Sequence, residues 1–336
     1  MSTGEAVTLN QPTDASSTGF CVTACVNPSG QAASVVPHAF AIAQALGAPL
    51  TLLHVLEARA AREARPDPIE WDLRRHEARR ALDRIASSSQ PAAANADVAL
   101  AEGPTADEIC RFAAGHGDGL IVLGTRGRRD ASLDGIGGTA HNVLNRVPGS
   151  ILLVPVDARL APSGYRRIIV PVDGSCWAES VLPLAARLAK AADAELLLAH
   201  VVPMPELTET RPLEPEDLLL RRRVVERNEE TARAYLERMR ASLAGRGLRV
   251  RVLSLRGDDV RVTLARLIDT EAADLVVLSA RGHGGSRHDD MRYGSVASYL
   301  MTHSTAPLLI VRPSSAHVEP SAMPDHRVRL PVACSA

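Results

Sequence analysis

The feature that most constrains this chain is that it repeats itself. Laid over itself without a gap, segment 26–55 matches segment 172–201: Pro37 falls on Pro183 and His54 on His200. The pattern Ala-x-Ser-Val-x-Pro that begins at Ala32 returns at Ala178, and Leu-Leu-His-Val at 52–55 answers Leu-Ala-His-Val at 198–201. Further on, Leu-Ile-Val-Leu-Gly at 120–124 answers Leu-Val-Val-Leu-Ser at 275–279, and the apolar runs 151–154 and 308–311 close the two copies. Units of this length are duplicated domains, because solenoid repeats are much shorter. The 336 residues leave room for two cores of ordinary size.

Each copy alternates short Val, Ile and Leu runs with helical patterns, which is how a parallel sheet covered on both faces reads. In the second copy the spacing predicts strands over 167–172, 195–201, 250–255, 274–279 and 308–311. A helix over 178–191 would bury Val181, Leu182, Ala185, Leu188 and Ala189, which follow helical spacing. Pro37 and Pro183 mark either a late helix start or a kink, and their recurrence predicts one geometry for both copies. The segments 58–89 and 208–245 are charged, favour helix and match each other poorly. The expected fold class is therefore α/β, with two tandem doubly wound parallel five-stranded sheets. The expected division is a disordered start over 1–18, a first domain over 19–156, a linker over 157–164, a second domain over 165–313 and a disordered tail over 314–336.

Composition removes several function classes. A formal net charge of −1 supplies no field for nucleic acid or an anionic membrane. No apolar stretch approaches the roughly 18 residues of a membrane span, and the first residues lack the basic-then-apolar order of a signal peptide. Cys21, Cys25, Cys110, Cys176 and Cys334 are odd in number and form no CxxC pair. They read as free thiols, with a cytoplasmic location as the expectation. Cys21 and Cys25, four apart on one strand, would face the same side as buried thiols too distant for a disulfide. His283, His288, Asp289 and Asp290 are ligand types for a metal, but their irregular loop spacing is simpler to read as a solvated loop.

In an open parallel sheet, ligands collect beyond the carboxyl ends of strands where the strand order reverses. The residues after the first and fourth strands therefore matter most. In the second copy these are Asp173, Gly174 and Ser175, then Ser279 to Gly282, followed by Gly294, Ser295 and Val296. A glycine turn entering a helix presents backbone N–H groups and the positive end of the helix dipole to phosphate. Gly294 and Ser295, opening a helix over 296–302, fit that role, with the Ser295 hydroxyl as donor or N-cap. Asp173 can accept hydrogen bonds from a ribose or an adenine edge. In the first copy Asn27 stands in its place and Pro28 replaces the glycine; an amide supplies no negative charge. His54 and His200 end matched strands and read as structural hydrogen-bonding residues. Arg126, Arg128 and Arg129 form either a phosphate approach or an exposed basic loop.

These residues, in this order of elements, resemble the universal stress proteins in a tandem form, over nearly everything between Phe20 and Pro313. The ATP-binding members of that family carry an Asp after the first strand and Gly-x2-Gly-x9-Gly-Ser/Thr after the fourth, on a Rossmann-like sheet. The first copy matches the spacing at Gly124, Gly127 and Gly137, but Gly138 replaces the hydroxyl residue. The second copy keeps Asp173, Gly294, Ser295 and Val296, with Ser279 in place of the first glycine and eleven residues between Gly282 and Gly294. The family's adenine-side contact falls on Val201.

The resemblance implies ATP, with or without magnesium, held most completely by the second copy, and a nucleotide-dependent sensor or regulator in stress response acting on an unidentified protein partner. It also implies an intramolecular pseudo-dimer, with homodimerisation open. Two other readings stand beside it: a nucleotide-free scaffold that pairs the copies through their last strands, and an ATP-pyrophosphatase-like or nucleotidylyl-transferase enzyme. The Ser-Gly-Gly-x-Asp-Ser and His-x-Gly-His signatures of such enzymes are absent, as is the P-loop Gly-x4-Gly-Lys-Ser/Thr, so slow hydrolysis is the most expected of it.

Overall fold

The computed structural model describes residues 20–312 apart from 29, 58–66, 89–95, 118, 126–135, 159, 162–163, 206–213 and 283–292. Gly127, the arginines at 126, 128 and 129, the loop histidines and aspartates, and both termini lie outside the described residues. The first copy runs β1 (Val22–Cys25), α1 (Ala32–Leu46), β2 (Leu50–Leu56), α2 (Pro68–Ser88), β3 (Ala96–Glu102), α3 (Thr105–Gly115), β4 (Leu120–Thr125), α4 (Gly138–Arg146) and β5 (Ser150–Pro155). The second runs β6 (Arg167–Pro171), α5 (Cys176–Glu179), α6 (Leu182–Ala192), β7 (Glu195–Pro203), α7 (Pro215–Ala244), β8 (Arg249–Gly257), α8 (Val260–Thr270), β9 (Leu275–Ser279), α9 (Ser295–His303) and β10 (Leu308–Val311).

Within each copy the strands are parallel, in the orders β3-β2-β1-β4-β5 and β8-β7-β6-β9-β10. The two five-stranded sheets do not stand apart. The closing apolar runs pair antiparallel, Leu308 with Leu153, Leu309 with Leu152 and Ile310 with Ile151, so the chain forms one ten-stranded sheet. Strand alternation sends Ile168 and Val170 to one face and Ile169 to the other. One core, under α1, α2, α6 and α7, runs from Val22 through Leu152 to Leu309 and Leu198; the opposite core, under α3, α4, α8 and α9, runs from Ile121 through Leu153 to Leu308 and Leu197. Both cores cross the seam between the copies. The buried face of α6 carries the five residues its spacing picked out, Val181 at its N-cap included.

The two prolines part company. Pro37 lies inside an unbroken α1, whereas in the second copy the helix breaks at Ser180 and Val181, and Pro183 sits in the first turn of α6. Proline lacks an N–H and is tolerated in a first turn. The expectation of a shared geometry is therefore corrected: the second copy has the late start. Cys21 precedes β1, and Cys21, Cys25 and Cys110 are half-buried while Cys176 is exposed. Burial pushes the Cys25 thiol up to about 12, with the Cys110 thiol adding to it.

Where α1 meets α6, His38 is buried, its Nδ1 3.0 Å from the Tyr165 hydroxyl of the other copy, and its Nε2 has no hydrogen-bond partner. Burial pulls its pKa down to about 4, against an opposing pull from Asp274. A histidine that releases its proton on folding contributes stability above its unfolded pKa of about 6.5 and loses it as pH falls toward 4. Urea unfolding is expected to show about 2 kcal/mol less stability from this group at pH 5 than at pH 7, at about 1.4 kcal/mol per proton and pH unit. The difference in stability between the two pH values should shrink by that amount in His38→Gln; an unchanged difference counts against this origin.

Candidate functional site

The carboxyl ends of β6 and β9 form the point where the second copy's strand order reverses, and a cleft of about 710 Å³ opens there. After β6, Val172 donates its N–H to the Ala199 carbonyl, and Gly174 then turns the chain with φ +79. That turn brings the Ser175 N–H (3.0 Å) and hydroxyl (2.6 Å) onto Asp173 Oδ1, while Ser175 Oγ caps α5 by accepting from the Ala178 N–H. Asp173 is thereby aimed by its own turn. Its other oxygen, Oδ2, stands 2.6 Å from where a Cβ on Gly282 would lie, so a side chain at 282 would press on the carboxylate. Gly294 closes the loop by donating to the Ala280 carbonyl at 2.8 Å. Asp173, Val201, Ser279, Gly282, Gly294, Ser295 and Val296 all line the cleft. Gly174 supplies the turn and does not line it. The N-cap of α9 is Gly294, so Ser295 is the first helical residue and not the cap its hydroxyl suggested.

Three features of this cleft escaped sequence reasoning. Beyond β8, Asp258, Asp259, Val260 and Arg261 form part of its wall. Asp259 caps α8, accepting from the Arg261 N–H at 2.8 Å, and its ion pair with the Arg261 guanidinium at 2.6 Å holds its carboxyl down to about 2. The Gly-Asp-Asp at 257–259 is a helix-start signal that could have been read as a third strand end facing the ligand. Beside the cleft and outside its lining, the hydroxyl of Tyr235 in α7 is buried within the electrostatic reach of Asp173, and burial, then the Glu179 carboxylate, pushes its pKa well above the ordinary phenol value. Tyr293, directly before Gly294, lines the cleft yet reaches into the first copy, donating to the Leu144 carbonyl at 2.8 Å. Arg312 lies over the Tyr293 ring at 4.8 Å and donates to the Leu144 and Val147 carbonyls at the end of α4. The turn of the second copy thus rests on the first.

The first copy is built otherwise. Gly137 turns with φ +88 to cap α4, and Gly138 begins that helix. Gly124 is closely overlaid by the Gln31 amide and Val35 of α1. A cavity of this copy is lined by Asn27, His54, Arg74 and Arg84 against α2, and Gly124, Gly137 and Gly138 are not among its lining residues. His54 and His200 have the same local role: each Nδ1 lies 2.8 Å from the carbonyl that ends the neighbouring strand, Val26 or Val172. Among the described residues no cluster of three or more His, Cys, Asp or Glu is placed to hold a metal, and no helix is long and apolar enough to cross a membrane.

Comparison with known proteins agrees with this architecture. A universal stress protein from Mycolicibacterium smegmatis is 27% identical over 194 residues, 58% of this chain; the aligned part spans 62% of that relative's own length. Two solved structures share the fold at low identity. A universal stress protein from Archaeoglobus fulgidus superposes with a TM-score of 0.60 at 17% identity, covering 88% of this chain and 97% of its own. One from Pseudomonas aeruginosa, itself described as a putative universal stress protein, superposes at 0.58 and 16%, covering 88% and 94%. The model of the universal stress protein family matches residues 22–155 and again 164–312. The chain belongs to the universal stress protein family and carries two family units in tandem.

Proposed function

We propose that the second copy binds an adenine nucleotide, ATP in the first instance, and that the chain acts as a nucleotide-dependent regulator in stress response. One observation carries this reading: the Asp173 carboxylate packs against Gly282 inside the same cleft that the Gly294–Ser295 turn and the start of α9 open into. A carboxylate suited to ribose and a helix N-terminus suited to phosphate then face one volume, and about 710 Å³ lies within the range of small-molecule sites. Val201 supplies apolar wall for the base.

Asp173, Asp258 and Asp259 stand in the wall with Arg261, which is paired with Asp259, and with Arg281. A triphosphate carries more negative charge than Arg281 alone offsets, so magnesium carried on phosphate oxygens is the expected companion. The first copy, with Asn27 for the aspartate, serves in this reading as the support on which Tyr293 rests.

Wild-type protein is expected to release adenine nucleotide on denaturation, or to bind added ATP by calorimetry, and Asp173→Ala to weaken binding at least tenfold, about 1.4 kcal/mol. Wild-type protein that carries no nucleotide and binds none at millimolar ATP would sink the proposal in favour of the nucleotide-free scaffold.

A further inference from the structure

Helix α7 is longer than the sheet it covers. Its 30 residues extend about 45 Å at 1.5 Å per residue, yet its buried positions begin only at Val225 and continue through Glu229, Ala232, Tyr235, Leu236 and Leu243. The turns before Val225 carry Leu218, Leu219 and Leu220, each more than half exposed, and Val224 at 36%. Consecutive leucines on a helix point in different directions, so this stretch is apolar on faces that the sheet cannot reach. Exposed apolar patches of this kind mark association surfaces.

The charges around the leucines say what they fit. Glu216 and Asp217 precede them; Arg221, Arg222 and Arg223 follow. Among the described residues Glu216, Arg221 and Arg223 make no ion pair; Arg222 pairs only with Glu226, and Asp217 is engaged with the Glu214 N–H at the helix start. The order acid, leucine, arginine is self-complementary when two such helices run antiparallel. Glu216, Leu219, Leu220 and Arg223 share one helix face, and with the two-fold axis between Leu219 and Leu220, Glu216 falls opposite the partner's Arg223 and Leu219 opposite the partner's Leu220. A two-fold interface uses the same patch on both molecules, and a parallel or head-to-tail arrangement would not match these charges.

We propose that the first turns of α7 pair antiparallel with the same turns of a second molecule of this chain. The inference goes beyond nucleotide binding and does not depend on it. A contact of a few helical turns is small beside the roughly 800 Å² per partner of a standard interface, so the dimer is expected to dissociate at about tens of micromolar.

The test is sedimentation equilibrium of the full chain from about 5 to about 300 µM, spanning the dissociation constant expected for such a contact. Wild type should pass from monomer to dimer across that range, and Leu220→Glu should stay monomeric with unchanged helical circular dichroism. Glu216→Arg and Arg223→Glu should each weaken dimerisation about tenfold, and the two together in one chain should restore it. Three results would overturn the proposal: a wild type that stays monomeric because another part of its own chain covers the leucines, a dimer indifferent to Leu220→Glu, or a double reversal no stronger than the single ones.

Discussion

Leu309→Ala is expected to loosen both halves of the chain at once. Leu309 is fully buried, pairs with Leu152 across the seam and belongs to a core that continues without a break from β1 to β7. Trimming a buried leucine to alanine costs about 2 to 5 kcal/mol, the lost transfer energy plus the cavity left behind. If the seam couples the copies, the loss falls on one cooperative transition and not on the second copy alone. The sequence supplies the reporters: its two tryptophans are Trp71 in α2 and Trp177 in α5, one in each copy. Trp71→Phe and Trp177→Phe leave a single fluorophore on either side of the seam. With Leu309→Ala added, both reporters should shift to lower urea by the same amount. A shift seen by Trp177 alone would mean that the halves unfold independently.

The second large effect is expected from Gly282→Ala. The added Cβ would meet Asp173 Oδ2 at 2.6 Å, a distance at which something must move. Asp173 Oδ1 is held by two hydrogen bonds from Ser175, so moving Oδ2 away from the methyl group strains those bonds and turns the carboxylate in the cleft. Nucleotide binding should weaken about tenfold or more, near 1.4 kcal/mol. A double-mutant cycle locates the cause. Once Asp173 is alanine there is no carboxylate to displace, so Gly282→Ala should then cost little further binding. Equal losses in the two backgrounds would show that the methyl group acts on the ligand directly and not through Asp173.

Most of the sheet was legible because its strands are buried on both faces and read as uninterrupted apolar runs; β9, Leu275–Ser279, is buried at every position. The residues brought to the second cleft from β6 and β9 were legible for a related reason, since strand ends are where a parallel sheet offers backbone and carboxylates to a ligand. What stayed hidden depends on contacts with no local pattern. Tyr293 carries no local signal of its role, because its partner Leu144 lies 149 residues earlier. Pro37 and Pro183 looked equivalent because their neighbours are alike, yet one helix continues through its proline and the other breaks before it. Asp258 and Asp259 follow the third strand of their copy, whose end reaches the same rim as the first and fourth only once the sheet is assembled.

The antiparallel meeting of β5 and β10 also fixes stoichiometry. Each of these strands would otherwise be a bare sheet edge, open to any chain with a matching one, and each is instead satisfied by the other. Two separate polypeptides joined this way would come apart on dilution and could exchange partners. Here the covalent link keeps the effective concentration of one half around the other high whatever the abundance of the protein. The second copy's cleft and its unlike twin therefore occur always in a ratio of one to one, on the same molecule, at every expression level.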